Sequence, residues 1–270
     1  MTELRLDEVG PWTRLKLQIL REYAGAYARI LSNQSVIRHY AYIDGFAGWG
    51  THVDRETGEE IEGSPAILLK QQFSHYHFID TDGKRAQRLR QLAAGRSDVT
   101  VYEGDCNDVL LNKVFPQCRY ADYRRALCLL DPYQLNPDWR VVEAAGSMKS
   151  IEILLNFMIM DANMNVLHKD PYAADPTQVE RMNAFWGDET WRGVAYKSTA
   201  LFEDIHEKLP NIAVVDAYRR RLRDVAGFRF VPDALPMMTR RGAVIYYLIF
   251  ASNNETGAKI ARAVFDKFRK

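Results

Sequence analysis

The chain has 270 residues, 47% of them hydrophobic and 26% charged, which is the profile of a folded globular protein long enough for one decorated α/β domain and excludes a disordered chain. Lysine and arginine number 36 against 35 acids, and this near balance neither requires nor excludes a nucleic-acid partner, because a local patch can carry what the total conceals. The opening MTELRLDEVGPW lacks a basic stretch followed by an apolar run, no run of about 18 apolar residues occurs, and Cys106, Cys118 and Cys128 lack CxxC spacing, so the sequence predicts a cytoplasmic protein with reduced thiols, no disulfide framework, no metal site and no membrane partner.

Residues 12–31 place Leu15, Ile19, Tyr23, Tyr27 and Ile30 at spacings of three and four, as an amphipathic helix requires. HYAYIDGF follows as a first strand ended by glycine. Ser64 as N-cap and Pro65 at the first helical position predict a helix over 66–72. HYHFID is a second strand ending at Asp80, with a charged helix over about 83–94 behind it. DVTVYEGD predicts a third strand ending near Asp105, RALCLLDPY a fourth ending at Asp131, and IEILLNFMI a fifth beginning at Ile151. Polar, helix-forming sequence from about 161 to 225 predicts a three-helix elaboration before a sixth strand in FRFVPDALPM. AVIYYLIFASNN then gives a final β run, and ETGAKIARAVFDKF a closing helix. Strands alternating with helices predict one α/β domain over 1–270, with a mostly parallel sheet and helices on both faces.

In such a sheet, ligands bind beyond the carboxyl ends of the strands, so the residues that end each strand carry the chemistry. The first strand ends Asp44-Gly45-Phe46-Ala47-Gly48-Trp49-Gly50, whose glycines permit tight turns and close approach of backbone to ligand. Its G-x-x-G-x-G spacing is neither the dinucleotide fingerprint nor a P-loop. Asp80 is placed to accept both ribose hydroxyls, a feature shared by dinucleotide and S-adenosylmethionine sites. Asp105 suits an acceptor for an adenine amino group or, equally, a turn-forming Asp in GDCND, while Cys106 beside it is either a cofactor contact or a small buried thiol. Asp82 reads as a helix N-cap. Asp131-Pro132-Tyr133 offers a carboxylate and backbone carbonyls to hold the protons of an amine while its lone pair points at a methyl group, and a ring to stack on a flipped base; a plain D-P turn is the other reading.

Trp12-Thr13 with Lys16-Leu17, YIDGFAGWG, GSP at 63–65, FID, GDCN, LDPY, LLNF and YYLIFAS together resemble the three-Cys-motif partner family, over nearly the whole chain. That family is similar to S-adenosylmethionine-dependent methyltransferases, nearest to those acting on adenine amino groups of ribosomal RNA. The resemblance implies a Rossmann-like class I methyltransferase sheet with an antiparallel last strand and a helical insertion between strands five and six. It also implies S-adenosylmethionine as cofactor, held by Asp44, Gly45, Phe46, Ala47, Gly48, Gly50, Ser64, Asp80, Asp105 and Cys106, and a reactive site at Asp131, Pro132 and Tyr133. It further implies a three-cysteine radical-S-adenosylmethionine-like protein as partner. Amino-methyltransferases usually carry Asp/Asn-Pro-Pro-aromatic, whereas Asp-Pro-Tyr-Gln stands here, without the second proline and with the aromatic one place early.

The leading expectation is a methyltransferase acting on a base amine of RNA or DNA; the alternative is a cofactor-binding or degenerate adaptor for the radical enzyme. A nicotinamide oxidoreductase fits less well, because the glycine spacing is wrong. Arg219, Arg220, Arg221, Arg223, Arg229, Arg240 and Arg241 form either a solvated helix face or a phosphate-contacting surface. The loop THVDRETGEEIE is either a hairpin around Thr57-Gly58 lidding the site or a solvated loop. Trp186 and Trp191 read as packing residues, and His75 and His77 have no metal spacing.

Overall fold

The computed structural model describes residues 6–199 and 202–269. In chain order the strands are β1 (Glu8–Val9), β2 (His39–Asp44), β3 (Thr51–Asp54), β4 (Glu60–Glu62), β5 (His75–Asp80), β6 (Val99–Glu103), β7 (Arg124–Leu130), β8 (Ile151–Phe157), β9 (Tyr196–Thr199), β10 (Phe202–Lys208), β11 (Leu235–Met238) and β12 (Val244–Ala251). The helices are α1 (Pro11–Ser32), α2 (Ser64–Leu68), α3 (Gly83–Leu92), α4 (Cys106–Val109), α5 (Trp139–Met148), α6 (Ile159–Asn165), α7 (Pro176–Trp186), α8 (Trp191–Ala195), α9 (Asn211–Asp224) and α10 (Glu255–Phe268).

Seven strands form the central sheet in the order β11-β12-β8-β7-β2-β5-β6. β2, β5, β6, β7 and β8 pair in parallel, and β12 lies antiparallel between β8 and β11, so β12 alone runs against the rest. The expected mostly parallel sheet with an antiparallel last strand is the observed one. From β2 the chain winds outward to β5 and β6, then crosses back to β7, which makes the β2–β7 boundary the switch point where the carboxyl ends open a crevice.

Each face of the sheet is covered. α1 and α10 lay Leu17, Leu20, Tyr23 and Phe265 on Tyr42, Leu127, Leu129 and Phe250. The opposite face, with Ile43, Cys128, Ile153 and Phe157, shares one core with Trp139 of α5 and with Met182, Trp186, Trp191 and Tyr218 from the inserted segment. Trp186 and Trp191 are fully buried, as packing residues.

Several local expectations are corrected. The N-cap of α2 is Gly63 and not Ser64, and the helix closes at Leu68; Ser64 is instead directed at Asp44. The segment from 161 to 225 holds four helices, α6 to α9, and not three, with the antiparallel pair β9–β10 between α8 and α9. FRFVPDALPM is a strand only from Leu235, because Pro232 has no N–H for a ladder; upstream, Phe230 makes a single bridge to Ser252. Ile30, assigned to the packed stripe of α1, faces solvent, and the buried stripe runs through Leu17, Leu20, Ala24, Tyr27 and Leu31. Among the described residues no helix is long and apolar enough to cross a membrane.

Candidate active site

The loop after β2, the ends of β5, β6, β7 and β8, and the start of α1 converge on a cleft of about 460 Å³ at the switch point. Gly45, Phe46, Ala47, Gly48, Ser64, Asp80, Asp105, Cys106, Asp131, Pro132 and Tyr133 all line it. Asp44 and Gly50 do not: Asp44 is fully buried beneath the cleft, and Gly50 carries a positive φ of 74° and faces Leu92 of α3.

One half of the cleft is a cradle of backbone and carboxylates. Gly48 has a φ of 63°, and a Cβ there would meet nothing within 4 Å, so its backbone faces open space. Gly45 is held close: a Cβ there would sit 2.9 Å from the Cys106 Sγ. Asp80 is 7% exposed; its Oδ2 accepts the Gly48 N–H at 2.9 Å and its Oδ1 the Asp82 N–H at 2.9 Å, which fixes the carboxylate at the tip of β5. Asp105 is the turn-forming Asp the sequence allowed, and it also lines the cleft. Its Oδ1 caps α4 by accepting from Asn107 and Asp108, while the residue stays exposed at the cleft wall. Asp82 caps α3, as expected.

Asp44 acts from below. It accepts hydrogen bonds from the Tyr42 hydroxyl at 3.0 Å and the Phe46 N–H at 3.3 Å, and burial pushes its carboxyl up to about 6, with Asp131 adding to the rise and Ser64 and Tyr42 opposing it. Burial, with Asp105 and Asp44 nearby, pushes up the pKa of the Cys106 thiol, which lines the cleft at 4% exposure.

The other half of the cleft gathers around Asp131. Lys16 of α1 donates to its Oδ2 and the Asn156 side-chain amide of β8 to its Oδ1. The Lys16 and Asp131 side chains are only 9% and 19% exposed, so the pair is poorly screened. Pro132 is buried, and Tyr133 carries an exposed ring at the mouth whose hydroxyl donates to Asp7 at 3.0 Å. Asp7 also receives Arg85 at 3.2 Å, so the segment before α1 is strapped across the opening. β1 pairs with β3, and β3 with β4 around Gly58, so the loop over 51–62 is a hairpin that brings His52 to the cleft wall. Burial, with Lys16 nearby, lowers the pKa of His52.

Sequence reasoning assigned no role to Lys16, His52, Arg85, Asn156, Arg181 or Tyr246, all of which line the cleft. Lys16 carried a readable signal: it lies four residues before Leu20 on the apolar stripe of α1, where a charge needs a partner. The arginine-rich segment was the opposite case. Arg219 is spent on Asp216 and Asp233, and Arg221 on Asp188 while stacking over Trp139, so both are structural and not free for phosphate.

No family model matches the chain, and no curated protein matches it. Among solved structures, the chain is similar to a protein of family DUF519 from Legionella pneumophila str. Philadelphia 1, at 11% identity and a TM-score of 0.52, over 93% of this chain and 91% of that one. It also matches the N-terminal domain of EvdMO1, solved in the presence of SAH and D-fucose, at 12% identity and a TM-score of 0.41, over 86% and 82% of the two chains. The CurJ carbon methyltransferase follows at 11% identity and a TM-score of 0.43, over 86% and 54%. The fold is thus a mixed α/β, Rossmann-like fold with a large, mostly parallel sheet.

Proposed function

We propose that this chain is an S-adenosylmethionine-dependent methyltransferase acting on an exocyclic base amine of RNA or DNA. The observation that carries the reading is the fixed Asp80 carboxylate facing the open space over Gly48 on one side of a cleft whose other side is built on Asp131. The residues present fit the cofactor. Asp80 would take the ribose hydroxyls, the free side of Asp105 the adenine amine, and the Gly45–Gly48 backbone the amino-acid end, with Cys106 as a packing contact.

S-adenosylmethionine supplies a methyl group on a sulfonium sulfur, which departs with the bonding pair as a neutral thioether. The acceptor nitrogen gives its lone pair to the new C–N bond and afterwards loses one proton, for which the Asp131 carboxylate and solvent are acceptors. Lys16 fixes the Asp131 carboxylate in orientation, and Tyr133 lies where a ring can stack on a base turned out of its strand. The combined motifs GSP, GDCN and DPY support placing the chain with the three-Cys-motif partner family.

One observation favours a second reading, an adaptor for a three-cysteine radical-S-adenosylmethionine-like protein. Both oxygens of Asp131 and the hydroxyl of Tyr133 already have partners within the chain. The two readings separate when purified protein and methyl-labelled S-adenosylmethionine are incubated with total RNA and with DNA, followed by nucleoside mass spectrometry. A methylated amine whose formation is lost in Asp131→Ala supports the enzyme; cofactor binding with no label in any nucleic acid supports the adaptor.

A further inference from the structure

Among the buried polar atoms of cleft residues that have no partner, two lie on neighbouring strands of the central sheet. The Asn156 side chain, 1% exposed, donates its amide nitrogen to Asp131, which turns its Oδ1 the other way, and that oxygen is buried without a hydrogen bond. Tyr246, 3% exposed, likewise buries a hydroxyl that meets no partner. Such orphans are rare in folded proteins, because each forfeits the hydrogen bond that water would have made, and both of these residues line the cleft.

Sheet register places the two side by side. β8 and β12 are antiparallel with Tyr247 opposite Phe157 and Leu248 opposite Asn156, so Tyr246 falls beside Met158 and on the face that carries Asn156. Asp131, which leaves β7 next to β8, joins them through its bond to Asn156.

The geometry points to Asn156 and Tyr246 as the groups that read the acceptor, and to an amidine edge, the amino group with its adjacent ring nitrogen found in adenine and cytosine, as what they read. This rests on the methyltransferase reading above. An aromatic amine has two N–H bonds and presents its lone pair out of plane only when both are held. Asp131 takes one, and the Asn156 Oδ1 takes the other, standing in for the backbone carbonyl that a second proline would have set. The Tyr246 hydroxyl donates to the ring nitrogen beside the amine. Lys16 completes the arrangement by holding the Asp131 carboxylate in place.

The test uses protein saturated with S-adenosylhomocysteine and four nucleoside probes titrated by calorimetry: adenosine, cytidine, 1-deazaadenosine, which lacks the ring nitrogen beside the amine, and purine riboside, which lacks the amine. Wild type is expected to favour adenosine or cytidine over both analogues by about threefold to tenfold, the range for one neutral hydrogen bond. Tyr246→Phe should erase the preference over 1-deazaadenosine alone, and Asn156→Leu should lower the preference over purine riboside without touching that over 1-deazaadenosine, with S-adenosylhomocysteine affinity unchanged. A purely structural role for either residue would weaken all four probes alike and would overturn the inference, as would variants that keep both preferences. Wild type that binds S-adenosylhomocysteine but none of the nucleosides also overturns it while leaving the cofactor site standing. Absence of S-adenosylhomocysteine binding removes the methyltransferase reading itself, and this inference with it.

Discussion

The ammonium of Lys16, on the first helix, sits against the carboxylate of Asp131 at the end of β7, across 115 residues of chain. This ion pair ties the N-terminal helix to the reactive motif. With the Asn156 amide on the other oxygen, it fixes the orientation of the Asp131 carboxylate.

Removing the lysine leaves a carboxylate only 19% exposed without its cation. Lys16→Met is expected to cost about 1–3 kcal/mol in urea unfolding, the range for stranding one partner of a buried polar pair. Adding Asp131→Asn to the same chain should recover part of the loss. A double variant as unstable as the sum of the two single ones would show that the pair carries no coupling.

Gly48 separates backbone strain from packing. At a φ of 63° with empty space where a Cβ would go, Gly48→Ala should cost about 1–2 kcal/mol of stability through the left-handed backbone alone. It should also weaken S-adenosylhomocysteine binding, because the new methyl projects into the cradle. A variant with unchanged affinity would place the cofactor elsewhere in the cleft.

Glu152, 6% exposed, is a buried acid far from the cleft, at the amino end of β8. It accepts from the Tyr23 hydroxyl and, at 2.9 Å, from Ser252, and burial pushes its carboxyl up to about 7. Gly257 of α10 packs directly on it: a Cβ there would lie 2.5 Å from the Glu152 Oε1 and 2.9 Å from the Tyr23 hydroxyl. Gly257→Ala should therefore destabilise by about 1–3 kcal/mol, as overpacking does. A thermal midpoint equal to wild type would mean that α10 is free to shift.

Three histidines cluster where β2 and β5 begin. His39 and His75 lie with ring centroids 3.7 Å apart, and burial lowers the pKa of His39 and of His77 to about 4. Because these folded values lie below the ordinary value of 6.5, the unfolded chain binds protons first. Their contribution is complete above pH 6.5 and is lost as the pH falls toward 4. The thermal midpoint should fall over that window more steeply in wild type than in His77→Phe, and parallel curves would contradict the linkage.

Much of the Asp80 side of the cleft was legible because its residues end short apolar strands. Asp80 and Asp105 stand where a β run stops, and the glycines after Asp44 announce a turn. The Asp131 side was not legible in the same way. Asn156 reads as one more residue of an apolar strand, and Tyr246 as one of a β-rich run; only the pairing of β8 with β12 brings them together. Lys16 reaches the site through the packing of a whole helix. Asp44 looked like a ligand because it ends a strand, yet its side chain turns inward to Tyr42, and position at a strand end does not fix which way a side chain points. The loop over 51–62 allowed two readings, and pairing with β1 decides for the hairpin.

The central claim is that Asp80 holds a bound S-adenosyl group, and calorimetric titration with S-adenosylhomocysteine on wild type and Asp80→Ala tests it most directly. Micromolar binding that falls by roughly 10- to 100-fold in the variant, the loss expected for charge-assisted hydrogen bonds, is the predicted result. Equal affinity in the two proteins, or no heat in either, would contradict it.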